Sequence, residues 1–167
     1  QSAVVGAAPS PEVIPAQTNE PAQSPPAVTV AATKALPRAS GQGRRVVFSI
    51  TSQRVWLVSD SGQAKETYLV SGSLTNNLKP GTYAVYSRSR HAVGIDDSGE
   101  MEYFVRFTKG ERAPIGFHSI PTKDGRPLQS VRQLGTPQSH GCIRQKLSDA
   151  MDMWDFATDG TKVVVTA

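Results

Sequence analysis

The sequence predicts a mainly β domain, a sandwich or barrel-like core with one helix near its C-terminal end, behind a Pro/Ala-rich flexible segment. Short β-branched and aromatic runs recur from Arg44 to Ile120. They are broken by turn residues such as Asp60-Ser61-Gly62, Pro80-Gly81 and Asp96-Asp97-Ser98-Gly99, the pattern of an all-β core. A helical period appears once, after residue 147. The composition breaks at residue 40: residues 1–40 hold seven of the twelve prolines, ten alanines, four charged residues and no aromatic, whereas residues 41–167 hold all eleven aromatics, the three histidines and the only cysteine. A stretch with so few large side chains cannot offset its ordering entropy. The reading is therefore a linker or disordered tail at 1–40 and one folded domain at 41–167.

The linker, with Pro25-Pro26 at its middle, reads as an extended, semi-rigid spacer. Val46, Phe48 and Ile50 then alternate as a strand, and Val55 to Val58 lead into the Asp60-Ser61-Gly62 hairpin signal. Strand character resumes over 67–71. Asn76-Asn77 and Pro80-Gly81 precede a strand at 82–87, with Tyr83, Val85 and Ser87 on one face and Ala84 and Tyr86 on the other. Further strands are expected at 103–107 and 115–120, after the Asp96–Gly99 turn. Ser148 is placed as the cap of a helix in which Ala150, Met153, Trp154 and Ala157 fall at i, i+3, i+4 and i+7. Asp149 and Asp152 are assigned to its first turn and Gly160 to its end. Residues 162–166 return as a last apolar strand, and the helix is expected to pack on the sheet and brace the loop before it.

The charge narrows the function classes. The formal +4 lies wholly in residues 41–167, with sixteen Lys and Arg against twelve acids and no long basic run, so nucleic acid is not an expected partner. Between residues 103 and 144 seven Lys and Arg meet two acids, which fits either a local anionic ligand or a solvated basic face. No apolar run approaches the ~20 residues of a membrane span. No secretory h-region is visible, and a first residue Gln1 reads as a processed or trimmed N-terminus. Nothing suggests an apolar surface stripe, so a monomer is expected. Cys142 has no internal disulfide partner, which leaves an inert buried thiol or a reactive one.

Its neighbours favour the second. A thiol needs a nearby base or positive charge to act as a nucleophile. His118 closes a β-like run, His140 stands two residues before Cys142, and Arg144 adds a fixed charge two residues after it. Gly141 lets the backbone turn tightly, so that consecutive N–H groups can form an oxyanion hole. These are the parts of an acyl-transfer site. A zinc site built from His118, His140 and Cys142 stays open, though only one thiolate is present and no CxxC pair exists.

Ser139-His140-Gly141-Cys142-Ile143-Arg144, with His118-Ser119 upstream, resembles the signature of the L,D-transpeptidase (YkuD-like) catalytic domain. The resemblance extends over about residues 44–166, including Val70-Ser71-Gly72-Ser73, Lys79-Pro80-Gly81-Thr82-Tyr83 and the helix after the cysteine. It implies a YkuD-like β-sandwich in which Cys142 is the nucleophile and His118 the general base. Ser119 would hold the imidazole through its main-chain carbonyl, and His140, Gly141 and Cys142 would supply oxyanion amides. Arg144 would organise the loop or bind a substrate carboxylate; Ser139, Tyr103 and Phe117 are further candidates for contact with substrate, with core or pocket-wall packing the other reading of the two aromatics. Residues 121–138, with Lys123, Arg126 and Arg132, read as an insertion forming part of the substrate rim.

The implied reaction is peptidoglycan 3→3 cross-linking between a tetrapeptide donor and a diamino-acid amine, with release of D-Ala, in the bacterial cell envelope. No cofactor or metal is implied, and carbapenems are expected to acylate Cys142. L,D-carboxypeptidase action and a non-catalytic peptidoglycan-binding module are the alternatives. Residues 88–102 read either as a lid beside the site or as an ordinary hairpin.

Overall fold

The computed structural model describes residues 34–167. Its elements are β1 (Arg45–Ser49), β2 (Arg54–Val58), β3 (Ala64–Leu69), β4 (Gly81–Ala84), β5 (Ser87–Val93), β6 (Glu100–Lys109), β7 (Pro114–Ser119), β8 (Thr122–Lys123), β9 (Arg126–Pro127), a 3-10 turn Val131–Gln133, β10 (Ile143–Gln145), α1 (Leu147–Phe156) and β11 (Lys162–Thr166). One sheet has the order β3-β2-β1-β11-β4; the other runs β10-β7-β6-β8-β9, with β5 also paired to β6. Among the described residues, the mainly β fold with one helix after the cysteine is the one the sequence predicts.

Alternation along each strand explains how the two sheets meet. Val46 and Phe48 of β1, Val55 and Leu57 of β2, and Val163 and Val165 of β11 face Val105, Phe107, Ile115, Phe117 and Ile143 of the second sheet. The Phe48 and Phe117 rings cross at 90° with centroids 6.4 Å apart, a favoured edge-on arrangement. The other face of the first sheet carries Val47, Trp56, Val58 and Val164, against which Leu36 packs. Trp56 Nε1 donates to the Lys34 carbonyl at 2.9 Å, and Arg45 Nε donates to the Ser40 carbonyl at 2.6 Å. Residues 34–40, counted with the linker in the sequence, thus lie against this sheet. The spacer reading of residues 1–33 falls outside the described residues.

Several local expectations are corrected. The strand expected at 82–87 ends at Ala84, because the chain changes sheets there: Val85 N–H donates to Thr161 O, and Tyr86 N–H to Arg106 O at 3.0 Å. Ser148 is not the helix cap. β10 runs almost directly into α1, Lys146 occupies the cap position without a side-chain bond, and Asp149 alone of the two aspartates lies in the first turn. Gly160, at φ +89°, turns the chain towards β11 three residues beyond the cap Ala157. Residues 88–102 form most of a β5–β6 hairpin.

Candidate active site

The parallel pairing of β10 with β7 sets the site, placing Ile143 beside Phe117, Arg144 beside His118 and Gln145 beside Ser119. Ile143 and Phe117 are fully buried between the sheets. Alternation therefore sends Cys142, Arg144, Gly116 and His118 to the opposite face. β6 adds Phe104, whose ring meets His118 edge-on with centroids 5.3 Å apart, and Arg106, whose guanidinium lies 4.2 Å over that ring. Arg106 is held by the Ser89 and Ser87 hydroxyls at 2.8 and 3.3 Å.

His118 is buried, with Nδ1 2.6 Å from the Ser119 carbonyl oxygen. A carbonyl only accepts, so Nδ1 carries the proton and Nε2 is the basic nitrogen. Ser119 Oγ accepts the Glu102 N–H at 2.9 Å, tying this segment to β6. Burial lowers the His118 pKa from 6.5 to about 4, against the upward pull of the Ser119 carbonyl and with the help of the Arg144 charge. Burial pushes the Cys142 thiol up, more than the Gly116 N–H, Arg106 and Arg144 pull it down. The resting pair is therefore neutral thiol and neutral imidazole, not the pre-formed thiolate that positive neighbours alone suggest.

This has a consequence for stability. A histidine whose folded pKa lies below its unfolded value binds more protons when unfolded, so stability rises with pH between about 4 and 6.5 and is lost as pH falls through that window. The His118 contribution is on the order of 3 kcal/mol. Glu66 and Asp149, whose carboxyls burial pushes up, act with the opposite sign. Urea midpoints of the wild type and His118→Gln between about pH 4 and 7 isolate the histidine: the difference between them should shrink as pH falls, and a constant difference contradicts the burial argument.

The cysteine loop is fastened from three sides. Ser139 Oγ donates to the Cys142 carbonyl and accepts the Gly141 N–H at 3.2 Å. Asn77 Nδ2 donates to the His140 carbonyl at 3.0 Å. Ser71 and Arg144 exchange both backbone hydrogen bonds, at 2.9 and 2.8 Å. Arg144 Nη1 donates to Gln129 Oε1 at 3.2 Å, and Gln129 Nε2 donates to Ser71 Oγ at 3.1 Å. A cavity of about 250 Å³ lies on the Gly141–Ile143 side of the loop, walled by Phe48, Leu74 and Leu78.

Of the sequence-predicted residues, Cys142, His118, Ser119, His140, Gly141 and Arg144 converge here. Phe117 does not reach the open face: it is fully buried in the inter-sheet core, because β7 register turns it inward. Tyr103 packs between the Arg90 guanidinium, 3.7 Å from its ring, and Trp154, 5.9 Å between centroids. Ser139, buried, spends its hydroxyl on the loop itself. The Gly141 N–H, expected in an oxyanion hole, is already donated to Ser139. No group of three His, Cys, Asp or Glu side chains among the described residues is arranged to hold a metal ion. Sequence reasoning left Phe104, Gly116, Asn77 and Gln129 without a role; Phe104 and Arg106 stand two apart on β6, a period-2 signal legible only once the register is known.

The chain matches the family described as YkuD, L,D-transpeptidase catalytic domain, over residues 43–165. YciB of Bacillus subtilis (strain 168) is 42% identical over 52 residues, 30% of this chain and 27% of that protein. An L,D-transpeptidase from Stackebrandtia nassauensis superposes with TM-score 0.62 at 21% identity, covering 80% of this chain and 62% of that one. The L,D-transpeptidase LdtMt1, solved in complex with imipenem, gives 0.59 at 23% identity over 75% of this chain and 59% of that one. The chain thus spans less than two thirds of each of these relatives. The family match over most of the chain and the shared two-sheet architecture lead to one conclusion: the chain belongs to the YkuD L,D-transpeptidase catalytic domain family.

Proposed function

We propose that the protein is a cysteine-dependent L,D-transpeptidase that forms 3→3 cross-links in peptidoglycan of the bacterial cell envelope. The observation that carries this is the β10–β7 register, which puts Cys142, His118 and Arg144 on one face with the His118 imidazole oriented by the Ser119 carbonyl. As Cys142 Sγ attacks the carbonyl preceding the terminal D-Ala of a tetrapeptide stem, its proton passes to His118 Nε2. That proton then goes to the departing D-Ala amine, leaving a thioester. The side-chain amine of a second stem attacks the thioester, gives up a proton through His118, and restores the thiol. With the Gly141 amide committed to Ser139, the N–H groups of His140 and Cys142 are the loop donors left for the oxyanion. Arg144, half-buried and held by Gln129, offers its charge to a stem carboxylate.

Intact-mass measurement after incubation with imipenem tests the reading. One adduct is expected on the wild type and none on Cys142→Ala; a wild type without an adduct points to a non-catalytic module and overturns the proposal. Incubation with a disaccharide tetrapeptide donor then identifies the acceptor. Cross-linked dimer supports transpeptidation, whereas D-Ala release without dimer makes the protein an L,D-carboxypeptidase.

A further inference from the structure

The β5–β6 hairpin does not extend away from the sheet. Its tip lies beside β8, where a Cβ on Gly99 would stand 2.6 Å from the Thr122 carbonyl oxygen. Yet Asp96 in this tip reaches Arg112, in the turn at the other end of β6, with Oδ2 and Nη2 2.5 Å apart. Ten residues of β6 separate these ends, about 33 Å if the strand were straight. The strand must therefore bend back on itself. Two irregularities in it allow this: Tyr103 has φ +55°, and the pairing with β7 shifts register between Arg106 and Thr108, a bulge that sharpens twist and bend. The core face of the sheet is filled by the first sheet. The tip thus arches over the other face, the one that carries His118, Gly116 and Cys142.

The neighbouring Asp97 pairs with Lys123 of β8, Oδ1 to Nζ, at 3.3 Å. Two consecutive aspartates, both with positive φ, are thereby bound to cations at opposite ends of β7. Both pairs are exposed, where an ion pair contributes little and exchanges readily with other ions. We propose that Arg112 and Lys123 form a displaceable carboxylate-docking pair at the mouth of the Cys142–His118 face. Asp96 and Asp97 occupy it in the resting protein, and a carboxylate of the incoming peptide takes their place as the hairpin lifts. This rests on the transpeptidase reading for the identity of the peptide. It also gives a use to the excess of positive charge between residues 103 and 144 that a merely solvated face would not have.

The rate of Cys142 acylation by imipenem, itself a carboxylate, separates docking from mere latching. At low salt, Asp96→Asn/Asp97→Asn frees the cations and should raise the rate about 2- to 10-fold, the range expected of two exposed pairs. Arg112→Ala/Lys123→Ala also frees the hairpin but removes the docking charges, so the rate should fall below wild type. Raising salt to about 1 M should bring all three together. Equal acceleration in both variants, or no change in either, overturns the proposal. Failure of the wild type to acylate strikes the transpeptidase reading instead, and docking is then read by hydrogen exchange of residues 94–99 on titration with glutarate. Faster exchange in the wild type and none in Arg112→Ala/Lys123→Ala supports it; unchanged exchange in the wild type overturns it.

Discussion

His118→Ala is expected to slow imipenem acylation of Cys142 about 10²–10⁴-fold near neutral pH. The physical reason is the neutral resting pair. Burial lifts the thiol, and the Gly116 N–H, Arg106 and Arg144 only partly counter it, so little thiolate exists before substrate arrives. In the proposed mechanism the proton leaves during attack, and His118 Nε2 accepts it because Nδ1 is fixed on the Ser119 carbonyl. Because burial holds His118 at about 4, the acid limb of the wild-type rate profile should lie near pH 4, with a flat region through neutrality. In His118→Ala the rate should instead climb steadily with pH, following ionisation of the Cys142 thiol with its proton lost to solvent. Stopped-flow or mass-resolved time courses across pH give both curves. A wild-type limb near the ordinary histidine value, or a His118→Ala rate equal to wild type at neutrality, contradicts the proton-acceptor role.

What the sequence discloses and what it hides follow from the same geometry. β1, β2, β7 and β11 are legible because each lays several apolar residues on the inter-sheet core, as Val46 and Phe48 or Val163 and Val165 do. β10 is hidden inside the cysteine motif: three residues long, it contributes Ile143 alone to the apolar core, while its neighbours Cys142 and Arg144 turn to the opposite face. β8 and β9 flank Asp124-Gly125, both at positive φ, a turn signal of the hairpin kind. Two-residue strands show no alternation to confirm it. In sequence Tyr103 and Phe117 read alike, each as a substrate contact or as packing; register sends Phe117 into the core and Tyr103 against Trp154. The Ser139–Arg144 motif and the His118-Ser119 pair are each contiguous in sequence and hence readable. Gln129, which holds Arg144 from 15 residues away and Ser71 from 58, is a tertiary fact.

Gly116 joins fold and chemistry, and its replacement is expected to damage both. A Cβ there would lie 2.2 Å from the Val105 carbonyl oxygen, 2.7 Å from its carbon and 2.8 Å from the Arg106 Cα. All three are backbone atoms of the neighbouring strand, so no side chain can rotate out of the way. The contact falls next to the β6 register shift between Arg106 and Thr108, where the two strands come unusually close. Gly116→Ala must push β6 off β7, at a cost of about 3 kcal/mol, or a fall of roughly 10 °C in Tm. The same displacement moves Phe104 away from the His118 ring and shifts the Gly116 N–H that stabilises the Cys142 sulfur. Acylation measured well below the new Tm should therefore slow as well. Gly62→Ala supplies the control: φ there is +84° but nothing lies within 4 Å of the added Cβ, so it should cost only about 1 kcal/mol of backbone strain and leave acylation untouched. If Gly116→Ala melts and acylates like the wild type, β6 and β7 are not in the close register that places Arg106 and Phe104 around Cys142 and His118. If it melts early but acylates normally when folded, the Gly116 amide has no part in the chemistry.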